Sequence, residues 1–455
     1  MKITLIQPSV GKINNKPYIK SWTMEPLALS TLAGLTPDDI EIEFFDERVD
    51  RLPESYETDL VAITVETYTA KRAYNIAKKI RNQGIPVVMG GIHANLVPDE
   101  VSKNCDAMLV GGAEGGIWNK ILDDFRSDSL LKKYDSNAYF NKILEHVTPR
   151  RDLYLNKGYL PLGLVESGRG CPFTCEFCAI TSAHKAKYRA KQIDKIVEDI
   201  GNIPQKMLYF ADDNFVSKFS RTQELCDAIA PLKKKWFSHG TINMANDRKL
   251  LKKLQKSGCS NLLIGFESLN EHTLKQMGKS WAIVKRGYSE SLKILRDHGI
   301  AVYGTFVFGY DEDSVDDIKK SLDFAINEKM CLAAFNHLVP YPGTALYSRF
   351  LKEGRLIDEK WWLKDGYNFG DVSFSPKNFT PEELSKSCYD ARMQFYSFSN
   401  IIKRTEFMAN CKDPFLNPFQ TFAFMSANFI SQKGIKQRQS WPIGNIIDNY
   451  GKILE

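Results

Sequence analysis

Short β-rich runs separated by helical stretches recur along this 455-residue chain in two successive series, and that alternation leaves few folds open. In the first series the runs are "KITLIQP", "IEIEFFD", "DLVAITVET", "IPVVMGG" and "DAMLVGG". The third is followed by a segment with Ala70, Ala73, Tyr74, Ala77 and Ile80 on one stripe, the spacing of a helix with one buried face. Strands joined through helices predict an α/β domain with a doubly wound parallel sheet over residues 1–125. Such sheets bind ligands outside the carboxyl ends of their strands. Those ends carry Gln7, Pro8, Thr64, Glu66 and Thr67, then Gly90, Gly91 and His93, then Gly111, Gly112 and Glu114.

Residues 126–160 are rich in Lys, Asn, Asp and Tyr without sustained periodicity and read as a connector. The second series then supplies six strand candidates: "LGLVES", "KMLYFAD", "WFSHGTIN", "NLLIGFES", "IAVYGTFVFG" and "CLAAFNHLVP". Amphipathic stretches such as "DRKLLKKLQKSG" lie between them, stopped by glycine as helices often are. Six β/α units in a row predict an incomplete parallel barrel over residues 161–350. From 351 to 455 the chain is aromatic-rich and helical, with "PEELSKSCYDARMQFYSF" the clearest helix. Its Trp361, Trp362, Tyr367, Phe369, Phe374 and Phe379, with the later "NPFQTFAFMSANF", suit an apolar or ring-bearing substrate or a lid. They equally suit a helical layer packed on the outside of the barrel.

Composition narrows the setting. No run approaches the ~18 apolar residues of a membrane span, and "MKITLIQPSV" lacks the regions of a signal peptide. A cytoplasmic protein is expected. With 61 basic against 55 acidic residues, the net charge of +6 is compatible with anionic ligands or a membrane surface but does not argue for nucleic acid. Nine cysteines, an odd number, argue against a disulfide framework in such a chain. Cys105, Cys226, Cys259, Cys331, Cys388 and Cys411 are scattered and read as buried, inert thiols.

The other three cysteines are not scattered. Cys171, Cys175 and Cys178 fall within eight positions of "SGRGCPFTCEFCAI", on the loop after the first strand of the second series. That loop lies at the mouth of the barrel, where barrel enzymes place their chemistry. Thiolates favour zinc or iron–sulfur clusters. A structural zinc site closes with four protein ligands, and only His184 is near enough in sequence to be the fourth. A four-iron cluster held by three cysteines instead leaves one iron open to a small molecule.

This loop and its surroundings resemble the radical S-adenosylmethionine (SAM) superfamily. "YFADDNF" is similar to that family's second-strand signature, "GCSNLLIGFESLNEHTLKQMGK" to its fourth, "GTFVFGYDED" to its fifth and "PYPGTALYSRFLKEGR" to its sixth. The resemblance implies a [4Fe-4S] cluster on Cys171, Cys175 and Cys178 whose open iron is chelated by SAM, with release of a 5′-deoxyadenosyl radical. It implies SAM contacts from Phe177, Asp212, Asp213, Glu267 and Ser268, one of the two aspartates turning away to cap the following helix. Residues 1–125 resemble the Rossmann-like cobalamin-binding domain that precedes the barrel in one branch of the superfamily. The carriers are "DLVAITVETYTAKRAYNIAKKIRNQGIPVVMGGIHANLVPDE" and "DAMLVGGAEGG". Cobalamin contacts are implied at Gln7, Pro8, Thr64, Glu66, Thr67, Gly90, Gly91, His93, Gly111, Gly112 and Glu114. "GGAEG" departs from the commoner "GEAE". The chain lacks the D-x-H-x-x-G motif that supplies a lower axial histidine, so His93 is expected to cap a loop.

Together the two halves imply a cobalamin-dependent radical SAM enzyme. The commonest chemistry of such enzymes is methylation of an unactivated carbon or phosphorus centre. Ring formation or skeletal rearrangement without methyl transfer is the alternative, and a cobalamin sensor with a degenerate barrel is the reading from another class. A methylthiotransferase is disfavoured, because the front domain offers only Cys105 for a second cluster. A small-molecule, lipid or peptide substrate and an electron donor such as flavodoxin or ferredoxin complete the expectation.

Overall fold

Both alternating series fold as parallel sheets in the computed structural model, which describes residues 1–14, 16, 23–139, 144–410 and 418–454. Cys411 lies outside the described residues. The strands are β1 (Lys2–Gln7), β2 (Lys12–Ile13), β3 (Glu41–Asp46), β4 (Leu60–Thr64), β5 (Val87–Gly90), β6 (Ala107–Val110) and β7 (Lys133–Asp135) in the front half. Then come β8 (Gly163–Val165), β9 (Gly168–Arg169), β10 (Arg189–Ala190), β11 (Met207–Phe210), β12 (Lys235–Gly240), β13 (Cys259–Glu267), β14 (Ala301–Phe308), β15 (Leu332–His337) and β16 (Ile446–Ile447).

The front sheet has the order β3-β1-β4-β5-β6-β7, parallel throughout. Its inner strands β1, β4, β5 and β6 are apolar on both faces, as a sheet covered on both sides requires. Alternate residues feed two separate cores: Ile3, Leu5, Leu60, Ala62 and Val88 go to one, Ile6, Val61, Ile63, Val87 and Met89 to the other. Helix Ala70–Arg81 covers the second with the stripe read from the sequence. Helix Ile117–Arg126 covers the first with Ile117, Trp118, Ile121 and Leu122.

Described residues of the span read as a connector pack with this sheet. The span supplies the edge strand β7, paired with β6, and Tyr154, buried against Phe44 with its hydroxyl on the Pro26 carbonyl at 2.8 Å. A three-residue strand with Tyr134 as its one buried side chain is too short to show a period.

The second sheet has the order β15-β14-β13-β12-β11-β8, six parallel strands in chain sequence with β8 and β15 left as edges. This is the strand order of an incomplete β/α barrel. Helix Pro381–Phe395, opened by a Thr380–Glu383 capping box, covers the β15 edge with Leu384, Cys388, Ala391 and Phe395. The Tyr396 hydroxyl donates to the Ala333 carbonyl at 3.0 Å and accepts from the Ala333 amide at 3.2 Å, occupying backbone groups that an edge strand otherwise exposes.

The aromatic C-terminal region divides between the two halves. Val372, Phe374 and Phe379 join the barrel core. Trp361, Trp362 and Tyr367 pack with Ala73, Ala77 and Ile80 of the front domain. Ile443 joins them, and β16 pairs in parallel with β2. Trp361 and Trp362 are therefore core of the front domain, neither a lid nor a layer on the barrel.

Candidate functional site

The cysteine loop is held at its stem by three devices. β9 and β10 pair antiparallel, Arg189 opposite Arg169, bracketing residues 170–188. Asp212, fully buried, accepts from the Ser167 amide at 2.8 Å and the Ser167 hydroxyl at 2.5 Å. Asp213 accepts from the Gly170 amide at 2.6 Å. Neither aspartate caps a helix: helix Phe219–Ile229 begins after Lys218 with no side-chain cap. The expectation that one of them would do so is corrected, because buried loop amides leaving β8 need acceptors and these two carboxylates are the nearest. Burial pushes Asp212 up to about 7 and Asp213 to about 6, against the pull of those donors. Gly170 has φ +84°, and a Cβ there would lie 2.0 Å from the Lys187 carbonyl oxygen, so only glycine fits the turn into Cys171.

Further along, the loop is tied to the barrel. The Glu176 amide donates to the Met277 carbonyl at 3.0 Å, the Leu346 amide to the Glu176 carbonyl at 3.0 Å, and Arg349 pairs with the Glu176 carboxylate at 2.9 Å. All three thiols are free. Burial raises Cys171, and pushes Cys175 up to about 12, with the neighbouring thiols adding to the cost of ionising each. A coordinated metal reverses that preference by deprotonating the thiol. Among the described residues no three His, Cys, Asp or Glu side chains converge to hold one ion. A tetrahedral zinc site needs such convergence, whereas a cluster in which each thiolate takes its own iron does not. His184 is not with the thiols but faces the front domain, where burial, then Arg169 and Arg189, push it down to about 4. The donor set fits a three-cysteine cluster.

Beside the loop, β13 ends in strain. Glu267 has φ +61°, with a register shift between Gly265 and Glu267. A non-glycine residue in the left-handed region persists only where the surroundings hold it. Lys279 does so, pairing with Glu267 Oε1 at 2.6 Å and donating to the Gly265 carbonyl at 2.9 Å. Glu267 Oε2 has no hydrogen-bond partner among the described residues. Two residues after Lys279, Trp281 stacks on Phe173 of the cysteine loop, centroids 3.7 Å apart, and its buried Nε1 has no partner among the described residues. Ser268 Oγ accepts from the Asn270 amide, and Phe177 packs on the barrel core. Lys279, Trp281, Phe173 and Arg169 were not legible as site residues. Lys279 meets Glu267, Trp281 meets Phe173 and Arg169 meets Glu114 across 12, 108 and 55 positions, and no local spacing signals those pairs.

Across the carboxyl ends of the front sheet lies a cavity of about 350 Å³, bounded by the front domain on one side and Glu166, Arg169, His184 and Ala211 on the other. Of the residues expected there, Thr64, Gly90, Gly91, Gly111, Gly112 and Glu114 line it. Gln7, Pro8, Glu66, Thr67 and His93 do not. Gln7 turns to the Pro8 carbonyl, and Glu66 caps the turn at Thr67–Thr69. His93 is fully buried, Nδ1 on the Thr67 hydroxyl at 3.1 Å and Nε2 on Glu100 at 3.3 Å. Gly91 has φ +102°, and a Cβ there would meet Val65 backbone atoms at 2.7 Å, so the fold itself demands this glycine.

One cluster of charges joins the two sides. Arg169 grips Glu114 of the front domain at 2.8 and 3.2 Å and Glu166 of the barrel at 2.7 and 3.0 Å, and Lys191 adds a contact to Glu166 at 3.1 Å. Arg169 stands two residues before Cys171.

Residues 165–325 match the family model of the Radical SAM superfamily. The bacteriochlorophyllide d C-12(1)-methyltransferase of Chlorobaculum tepidum is 29% identical over 394 residues, 84% of either chain. The bacteriochlorophyllide d C-8(2)-methyltransferase of the same organism is 26% identical, covering 83% of this chain and 87% of its own. Among solved structures, the radical S-adenosylmethionine methyltransferase TsrM from Kitasatospora setae, with cobalamin and [4Fe-4S] cluster bound, superposes with a TM-score of 0.67 at 13% identity. It covers 96% of this chain and 99% of its own.

Proposed function

We propose that this chain, a radical SAM protein through its residues 165–325, is a cobalamin-dependent methyltransferase acting on an unactivated carbon or phosphorus centre. The observation that carries the reading is a juxtaposition. The stem of the three-thiol loop, at Arg169, and a glycine-lined sheet end bound one cavity, and Arg169 joins them. When bound, the cluster and SAM supply one-electron cleavage of a sulfonium, and methylcobalamin supplies the methyl group.

The chain's own task is positioning. Cys171, Cys175 and Cys178 hold the cluster, their loop fixed by Asp212, Asp213 and Arg349. Glu267 offers Oε2, and Trp281 its unpaired Nε1, to the polar groups of SAM. Thr64, Gly90, Gly91, Gly111 and Gly112 form the floor for the corrin. With both its nitrogens taken by Thr67 and Glu100, His93 would not be the residue to hold cobalt if cobalamin occupied this cavity. A ring-bearing, largely apolar substrate is in keeping with relatives named for bacteriochlorophyllide d. The reading puts the enzyme in the cytoplasm, with flavodoxin or ferredoxin as the electron source.

Anaerobic turnover with methyl-labelled SAM and candidate apolar acceptors tests the reaction. Label in the product supports methyl transfer. Deoxyadenosine formed alongside a cyclised, unlabelled product assigns the chain to ring formation instead. Paramagnetic resonance of the cobalt(II) form tests the cobalamin site, where nitrogen splitting that vanished in His93→Ala would overturn the lower-face assignment.

A further inference from the structure

Helices Phe398–Asn410 and Pro418–Gln439 pack on one another and carry an outward face that no described residue covers. Phe398, Ile402, Phe422, Phe429 and Ile430 are 41–68% exposed on it, and Phe398 and Phe429 stack at 6.4 Å. Exposed apolar groups of this size, clustered, mark an interaction site in a folded protein.

The face is held outward by a rigid anchor. Arg404 is fully buried and donates to the carbonyls of Met330, Cys331, Phe395 and Asn400 and to Asn428 Oδ1, all at 2.9–3.1 Å. Asn428 donates in turn to the Cys331 carbonyl at 3.3 Å. Met330 and Cys331 lead into β15, so the helix pair sits at the amino-terminal end of the barrel strands. The cysteine loop leaves the opposite end. These helices are therefore not a lid on the site already described.

Charge identifies the occupant. On the second helix Phe422, Phe429, Lys433 and Lys436 share one stripe, with the apolar residues first and the cations beyond them. Lys403 stands next to Ile402 on the first helix. All three lysines are exposed and form no ion pair with a described residue. From 414 to 447 the sequence contains no Asp or Glu. A second copy of the chain would set this cationic rim against itself. An anionic bilayer complements both halves of the face, taking aromatic rings at the headgroup–acyl boundary and lysines at phosphate level.

We propose that this face seats the protein peripherally on an anionic phospholipid surface. No described helix is long and apolar enough to cross a membrane, so the contact is with the surface only. The inference does not depend on which reaction the site performs.

Flotation of the full-length protein with vesicles tests it. The wild type is expected to float with phosphatidylcholine vesicles containing about a third phosphatidylglycerol, less with phosphatidylcholine alone, and less again as salt is raised. The variant F422S/F429S/I430S changes exposed positions only and should keep its melting temperature while losing roughly tenfold or more of its partitioning. K433Q/K436Q should lose the preference for the anionic lipid. Wild-type protein that ignored both vesicles would overturn the proposal. So would a triple variant that floated as well as the wild type, or a wild-type dimer that the triple variant split.

Discussion

Single side chains divide sharply into those that bind and those that hold the fold. Cys171→Ala, Cys175→Ala or Cys178→Ala should each leave anaerobically reconstituted protein without a full complement of four irons, read by iron analysis and paramagnetic resonance. Cys226→Ala and Cys388→Ala, in the barrel core, should keep it. Glu267 keeps one oxygen on Lys279 and one free. Glu267→Gln should weaken SAM binding roughly ten- to hundredfold, the worth of a charge-assisted hydrogen bond, with the cluster retained. A dissociation constant that did not move would reduce Glu267 to the partner of Lys279. Asp313 is a pH-sensitive group outside the site. It is fully buried, accepts from the Gly309 and Tyr310 amides and the Thr273 hydroxyl, and is pushed by burial from 3.8 up to about 6. The folded chain thus holds this proton more tightly than the unfolded chain does. Its contribution to stability is greatest below about 3.8, declines as pH rises towards 6, and is flat above. Asp313→Asn can still accept from the two backbone amides and cannot ionise, so its melting temperature should fall less than the wild type's between those pH values.

At the scale of elements, the sequence carries the strands and helices because their periods are long enough to read. Six barrel strands and the stripe of helix Ala70–Arg81 stand where "LGLVES" to "CLAAFNHLVP" and the Ala70–Ile80 spacing put them. What it does not carry is pairing across distance. Asp212 and Asp213 are visible as a motif, yet their partners Ser167 and Gly170 lie more than forty positions earlier. β7 is too short to show a pattern, and Arg169 looks like any loop arginine until Glu114 and Glu166 close on it. That last cluster is the joint between the domains, and it gives a direct test. Arg169→Met would leave Glu114 and Glu166 buried without its guanidinium, Lys191 remaining on Glu166. Breaking a buried pair from one side costs about 3–5 kcal/mol. Chemical denaturation should show a loss of that order, and the stem of the cysteine loop should be looser, with less cluster held per chain. A variant as stable as the wild type would mean that the front domain is not clamped to the barrel here.

For the molecule as a whole, the chain's path makes the two halves one unit. It runs through the front domain, then the barrel, then returns. Trp361 and Trp362 are buried against helix Ala70–Arg81, and β16 adds itself to β2. The Trp361 indole donates to the Pro340 carbonyl at the end of the barrel, and that of Trp362 to Glu100 of the front domain, so one Trp-Trp pair bridges both. A front domain cut from the chain would expose the apolar face these rings cover, and it should not fold alone. The intact protein should then unfold in one transition, with front-domain and barrel probes losing signal together, because neither core is complete without residues beyond 350. Trp361→Ala removes a fully buried indole at a cost of about 3–5 kcal/mol. If the halves are coupled, that loss lowers the midpoint of both probes equally, although the residue packs in the front core. A variant in which the front half melted early while the barrel kept its wild-type midpoint would show two independent domains on one chain. The arrangement of the sheet-end cavity against the stem of the cysteine loop would then rest on Arg169 and its carboxylates alone.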